Sequence, residues 1–322
     1  MKAIQITQHG GADALTYTEV ETPQPGEGQV LVELAAAGLN FIDIYQREGR
    51  YEVALPYVLG LEGAGTVTKV GANVSELRAG DRVAFAGVPG AYAEYVAASA
   101  DRLVKVPDSV ELKTAAALML QGMTAHYLVD STYSLQAGDT CLVHAVAGGV
   151  GLLLTQLAKE RGATVIGTTS TEEKAERARK AGADHVILYT QEDFVTKTQE
   201  FTQDRGVQVV YDSVGKTTFE GSLDCLTPRG YLVLFGQSSG SVEPIDPQVL
   251  NSKGSLFLTR PSLFHYVAER DELVKRASEL FELVGAGKLD VHVDSVFALK
   301  NAGEAHSKLE NRETSGKVLL EP

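Results

Sequence analysis

His144-Ala-Val-Ala-Gly-Gly-Val-Gly151 follows the apolar run Cys141-Leu-Val143 and precedes a long helical pattern, Val150 to Arg161. The run reads as a buried strand. Gly148, Gly149 and Gly151 read as a tight turn into the helix. A helix N-terminus offers unpaired backbone N–H groups and the positive end of its dipole, which suits a pyrophosphate. Glycines let the backbone approach such a ligand closely. The first glycine of Gly-x-Gly-x-x-Gly is replaced here by Val146, a steric change near the pyrophosphate, so the surroundings have to decide.

The surroundings are a series of βα units. Ala163–Thr168, His185–Tyr189, Val207–Asp212 and Gly230–Phe235 read as further strands, and Ser255–Thr259 as a sixth. Helical patterns at Thr171–Ala181, Gln191–Thr202 and Thr217–Leu226 alternate with them. Short apolar runs between helices imply right-handed crossovers and a parallel sheet. Residues 122–263 are therefore read as one doubly wound α/β domain for a dinucleotide.

The tip of the second strand is Gly167-Thr-Thr-Ser170, without a carboxylate. An Asp or Glu there would hold the ribose 2′-OH of NAD. Lys174 follows in the next helix, with Arg177 and Arg179 beyond it. A cation in a first helical turn is disfavoured by about 0.3–1 kcal/mol, and a 2′-phosphate nearby would reverse the sign. NADPH is thus expected over NADH. Ser170 with Glu173 also forms the pattern of a capping box.

The 322 residues suffice for two domains. Hydrophobic residues make up 44% and charged ones 22%, a globular composition, and no apolar run approaches the ~20 residues of a membrane span. The N-terminus, Met1-Lys-Ala-Ile-Gln5, enters a strand pattern directly, so no signal peptide is expected. Two cysteines far apart do not make a disulfide framework, so a reducing cytoplasm is expected. A net charge of −13 argues against nucleic-acid and anionic-membrane partners. Residues 1–121 differ in texture: Gln29–Leu34, Gly63–Val70 and Arg82–Ala86 are alternating strands between glycine-rich turns, the pattern of a partly open β-barrel. Residues 264–322 carry helices at Arg270–Gly285 and Asn301–Asn311 and strand-like Asp294–Ala298 and Lys317–Leu320, which are expected to fold back onto the first domain.

Several segments together carry a family likeness: Gly38-Leu-Asn-Phe-Ile-Asp43, Gly60-Leu-Glu-Gly-Ala-Gly65, Ala79-Gly-Asp-Arg-Val83, Ala145–Gly151, Val210-Tyr-Asp-Ser-Val-Gly215, Phe235-Gly-Gln-Ser-Ser-Gly240 and Thr259-Arg-Pro-Ser262. They resemble the medium-chain dehydrogenase/reductase superfamily, in its zinc-independent quinone oxidoreductase (zeta-crystallin-like) branch. The resemblance implies a GroES-like catalytic domain of residues 1–121 plus 264–322, with the NADPH-binding Rossmann domain 122–263 inserted. Zinc-dependent relatives have Cys near Asn40 and His in Gly-His-Glu, where this chain has Leu61. Leucine has no lone pair for zinc. No metal is expected.

Without a Lewis acid the favoured acceptors are already electron-poor. A quinone stabilises its own developing anion, so a quinone reductase is the leading expectation, with an enone, enoyl or haloacrylate reductase as the alternative. A structural or RNA-binding role, as the branch also allows, is disfavoured by the acidic balance. The resemblance places Asn40 and Tyr45 beside the acceptor as donors or positioners, with Phe41, Ile42 and Asp43 between them. Thr124, opening a helix, is expected at the nicotinamide amide. Gly148, Gly149 and Val150 are expected at the pyrophosphate. Ser170, Lys174 and Tyr189 should surround the adenosine phosphate. Phe235, Gly236 and Ser238 lie at the switch-point edge, and Arg260 and Arg312 match family arginines near the cofactor. An exposed edge at the sixth strand, with the resemblance, implies a homodimer.

Overall fold

A computed structural model describes residues 1–322. Two units divide the chain: Met1–Met123 with Val267–Pro322, and Thr124–Tyr266. The first begins with β1 (Lys2–Ile6), β2 (Thr16–Glu19), β3 (Gln29–Leu39), α1 (Phe41–Arg47), β4 (Tyr57–Val58) and β5 (Glu62–Val70). It continues through β6 (Arg82–Ala86), β7 (Tyr95–Ser99), β8 (Val104–Lys105) and α2 (Leu112–Tyr127), whose end from Thr124 belongs to the second unit. The second unit alternates β9 (Thr140–Val143), α3 (Gly149–Glu160), β10 (Thr164–Thr169), α4 (Glu172–Lys180), β11 (His185–Leu188), α5 (Phe194–Thr202) and β12 (Val207–Asp212). It closes with α6 (Phe219–Asp224), β13 (Leu226–Leu234), α7 (Gln248–Ser252), β14 (Phe257–Thr259) and α8 (Leu263–Tyr266). The chain then returns to the first unit for α9 (Arg270–Gly285), β15 (Val293–Ala298), α10 (Ala302–Glu310) and β16 (Lys317–Glu321).

In the second unit the sheet order is β11-β10-β9-β12-β13-β14, and every neighbouring pair is parallel. This is the doubly wound order, with its topological switch between β9 and β12. Strands covered on both faces read as continuous apolar runs, and in β12 Val207, Val209, Val210 and Tyr211 are all buried. Helix α3 buries Leu153, Leu154, Leu157 and Ala158 on its inner face. Val146, the residue that breaks the glycine motif, is fully buried. Its side chain fills the space above Gly167 of β10, where a Cβ would lie 2.6 Å from Val146. The expected steric change at the pyrophosphate is therefore taken up inside the fold.

The first unit holds a seven-stranded sheet, β15-β16-β3-β5-β6-β8, with β7 also on β3. One long strand is thus shared: β7 pairs antiparallel with β3 over 29–33 and β16 over 37–39. The returning tail adds two strands to this sheet. Its core joins Val30, Val32, Phe85 and Tyr92 to Leu299, Ala302, Val318 and Leu320. A small sheet, β2-β1-β4, completes the unit.

Two local expectations are corrected. Thr124 does not open a helix; it lies in the last turn of α2, which begins at Leu112. Ser170 is not the cap of α4. Thr171 is, its hydroxyl accepting from the Lys174 N–H at 3.3 Å. Both hydroxyl residues fit the capping pattern, and one step of register decides between them.

Candidate active site

In the first unit Asn40 leaves β3 and caps α1. Its side chain accepts from the N–H of Asp43, and Asp43 Oδ2 accepts from the Asn40 N–H at 2.8 Å, a capping box. The Asn40 amide is occupied on both sides. Nδ2 donates to Glu62 Oε2 at 2.8 Å and to the Gly38 carbonyl at 3.2 Å. Oδ1 accepts from Lys317 Nζ at 2.9 Å and from Gln121 Nε2 at 3.3 Å. Lys317 and Glu62 form an ion pair at 2.5 Å, with side chains 1% and 0% exposed. Tyr45 is buried rather than snorkelling at the surface. Its ring packs near Phe41 (6.2 Å) and edge-on to Tyr51 (5.4 Å), with the Arg50 guanidinium 5.5 Å from its centre.

Asp43 continues inward. The Tyr92 hydroxyl donates to its Oδ2 at 2.9 Å, while Oδ1 is buried without a hydrogen-bond partner. Beyond Tyr92 stand His306 Nε2 at 3.3 Å and, on the ring's other nitrogen, Arg47 at 3.2 Å. A guanidinium only donates, so Nδ1 of a neutral His306 accepts and Nε2 carries the proton toward Tyr92. Arg47 also grips Glu310 with bonds of 2.9 and 2.7 Å. Burial raises the Asp43 carboxyl from 3.8 to about 7, against the lowering effects of the Asn40 N–H, the Tyr92 hydroxyl and the Lys317 charge. Burial, then the Arg47 charge, lower His306 from 6.5 to about 3.

In the second unit the glycine turn joins β9 to α3. Gly148 caps α3 with no side chain, so the first-turn N–H groups of Gly149 and Val150 have no side-chain cap. A Cβ on Gly151 would lie 2.5 Å from the Ala145 carbonyl, so helix and turn meet at backbone contact there. This bare, close-set helix start fits a pyrophosphate. Ser170, partly buried, follows β10; Tyr189 follows β11 and is 40% exposed, so it is not a core aromatic. The Thr190 hydroxyl ties to the Ser170 carbonyl at 3.0 Å, keeping these two strand ends together. Lys174 sits in the first turn of α4. The loop after β13 is anchored to the end of β12: the N–H groups of Phe235 and Gly236 donate to the Asp212 carbonyl, and that of Ser238 to the Ser213 carbonyl.

Below the turn lies a buried polar network. The Ser222 hydroxyl donates to Asp212 Oδ2 at 3.1 Å and therefore accepts from His144 Nε2 at 3.0 Å. His144 Nδ1 faces the Thr168 hydroxyl at 2.9 Å. Asp212 Oδ1 accepts the Val214 and Gly215 N–H groups. The ends of β9, β10 and β12 are thus tied beneath the glycine turn. Burial lowers the His144 pKa. His144 and Cys141 are both core residues.

The expected residues fall into separate groups. Asn40, Phe41, Ile42, Asp43 and Tyr45 gather at the start of α1 in the first unit. Gly148, Gly149, Val150, Ser170, Tyr189, Phe235, Gly236 and Ser238 follow the C-terminal ends of the parallel strands in the second. Thr124 is buried in α2, while Arg260 (after β14) and Arg312 (after α10, φ 59°) are exposed. Sequence reading missed Glu62, Lys317, Tyr92, His306 and Arg47. Among them Lys317 carries a local signal, a charge opening the apolar run Lys317-Val-Leu-Leu320. No three His, Cys, Asp or Glu side chains gather to hold a metal ion. The Lys317 ammonium on Asn40 Oδ1 would also repel a divalent cation.

Residues 26–108 match the alcohol dehydrogenase GroES-like domain family, and residues 149–282 the zinc-binding dehydrogenase family. A quinone oxidoreductase of Pseudomonas aeruginosa is 45% identical, covering 100% of this chain and 99% of its own. A 2-haloacrylate reductase of a Burkholderia species is 43% identical, covering 99% and 98%. The crystal structure of Escherichia coli quinone oxidoreductase complexed with NADPH superposes with a TM-score of 0.98 at 45% identity, covering 100% of both chains. Likeness of this extent, in sequence and in fold, means that the chain belongs to the quinone oxidoreductase branch of the medium-chain dehydrogenase/reductase superfamily.

Proposed function

We propose that this protein is a cytoplasmic, homodimeric NADPH-dependent quinone reductase that works without a metal. The carrying observation is its end-to-end likeness to quinone oxidoreductases, one of which has NADPH bound in the same fold. The end of β10, free of the carboxylate that would favour NADH, supports the same cofactor. When bound, NADPH supplies a hydride to the acceptor. In this reading residues 122–263 bind the cofactor, and 1–121 with 264–322 form the catalytic domain.

The chain's own groups bind and orient. Gly148, Gly149 and Val150 hold the pyrophosphate on the start of α3. Ser170, Lys174 and Tyr189 surround the 2′-phosphate, where a charged hydrogen bond contributes most. Phe235, Gly236 and Ser238 line the switch-point edge, and Arg260 and Arg312 add positive charge for the cofactor phosphates. Thr124, Phe41, Ile42 and Asp43 border the nicotinamide. Asn40 and Tyr45 belong with the acceptor. Both Nδ2 hydrogens of Asn40 are already bonded within the protein, so its part is to position. Tyr45 serves as donor or positioner beside the developing oxyanion.

A second reading, reduction of an activated alkene, is favoured by the likeness to a 2-haloacrylate reductase. Both use the same hydride geometry and separate only on the acceptor. NADPH oxidation against a panel of quinones, enones and haloacrylates decides. Quinone turnover well above that of the alkenes is expected. Turnover of alkenes alone would transfer the assignment to the second reading.

A further inference from the structure

A charged pair buried beneath the start of α1 lies outside every role given above. The strand register creates it. In the β3–β5 pairing Ala37 faces Gly63, so Gly38 faces Glu62; in the β3–β16 pairing Leu39 faces Val318, so Asn40 comes level with Lys317. Gly38 makes the room. A Cβ there would fall 2.2 Å from Glu62 Oε2 and 2.7 Å from Lys317 Cε. Glu62 reaches across the glycine to Lys317, and both close on the two ends of the Asn40 amide. The other carboxylate oxygen of Glu62 accepts the Leu120 N–H of α2 at 2.6 Å, and the neighbouring Gln121 donates to Asn40 Oδ1.

We infer that Glu62 and Lys317 are positioning residues for the reaction: together they fix the Asn40 amide, and with it the start of α1 that carries Tyr45. Stability alone does not explain them, since apolar side chains of similar volume commonly replace a buried ion pair without loss. What an apolar replacement cannot do is orient an amide from both sides at once. A carboxylate on Nδ2 and an ammonium on Oδ1 allow one rotation of the amide and oppose its flip by charge. This inference rests on the proposed placement of Asn40 and Tyr45 beside the acceptor.

The test compares Lys317→Met with the neutral double variant Glu62→Gln/Lys317→Met, beside Asn40→Ala. The readouts are kcat with a quinone, KM for NADPH, the unfolding temperature, and exchange of the Asn40 side-chain amide protons by NMR. Losing an oriented group is expected to lower kcat about ten- to a hundredfold in both Lys317 variants, with KM for NADPH within about twofold of the parent. The double variant, which leaves no unpaired buried charge, should regain the parent unfolding temperature but not kcat. Amide exchange should quicken in both. A double variant that regains parent kcat as well as stability would overturn the inference. If Asn40→Ala itself turns over at the parent rate, the acceptor-site placement of Asn40 fails. The exchange signal then judges the pair alone: quickened exchange in Lys317→Met upholds it as the clamp on Asn40, and unchanged exchange refutes it.

Discussion

Asp43 and His306 stand two hydrogen bonds apart and titrate in opposite senses. Folded Asp43 keeps its proton up to about pH 7, whereas an unfolded Asp loses it near 3.8. The native state therefore binds more protons between these values, and this contribution to stability declines as pH rises through the window. Folded His306 stays neutral down to about 3, whereas an unfolded His protonates near 6.5. Here the unfolded state binds more protons, and stability is lost as pH falls from 6.5 toward 3. From roughly pH 4 to 6.5 the two slopes oppose each other. Asp43→Asn keeps an oxygen for the Asn40 N–H and the Tyr92 hydroxyl but removes one slope. Its unfolding temperature should fall more steeply than the parent's on acidification from pH 6.5 to 4, and should match or exceed the parent's at pH 8. Parallel profiles for the two proteins would contradict the opposed titrations.

At the scale of the element, α4 combines a cap, an acidic first turn and a cation. Thr171 caps it, Glu172 and Glu173 suit the positive end of its dipole, and Lys174 does not. A bound 2′-phosphate gives Lys174 a reason to be there. Lys174→Ala should raise KM for NADPH by the loss of a charged hydrogen bond, roughly 1.5–3 kcal/mol or about ten- to a hundredfold. NADH, which lacks that phosphate, should be used nearly as before. Equal losses with both cofactors would detach Lys174 from the phosphate. Both α4 and α3 were legible as helical patterns, but the sequence put the cap of α4 at Ser170, one residue before Thr171, and α3 starts at a glycine with no side-chain cap. The short α1 was not: seven residues give too little periodicity, and its start is set by a capping box at the end of a strand.

At the scale of the whole molecule, β14 is the edge of the parallel sheet and pairs only with β13. Phe257 on it stacks on Tyr231 at 4.5 Å yet remains 49% exposed. An apolar edge strand is a hazard unless it is paired or covered. In the proposed homodimer the same edge of a second copy covers it across a two-fold axis. Phe257→Glu should then shift the mass measured by light scattering from dimer toward monomer or aggregate. A parent chain that scatters as a monomer at micromolar concentration would remove the basis for this assembly.

The sequence by itself determined the parallel, doubly wound sheet, the glycine turn and the acid-free end of β10. These follow from local patterns: doubly covered strands read as apolar runs, and helix starts carry their own caps. It also placed Asn40, Asp43 and Tyr45 in one short stretch. Only the tertiary structure decided what those residues do there. Glu62 and Lys317 lie 22 and 277 residues from Asn40 along the chain, and Tyr92 and His306 are similarly remote from Asp43. Strand register brings them together, and burial then raises the Asp43 pKa and lowers that of His306. Register depends on long-range pairing of β3 with β5 and β16, a property of the assembled sheet rather than of any window of sequence.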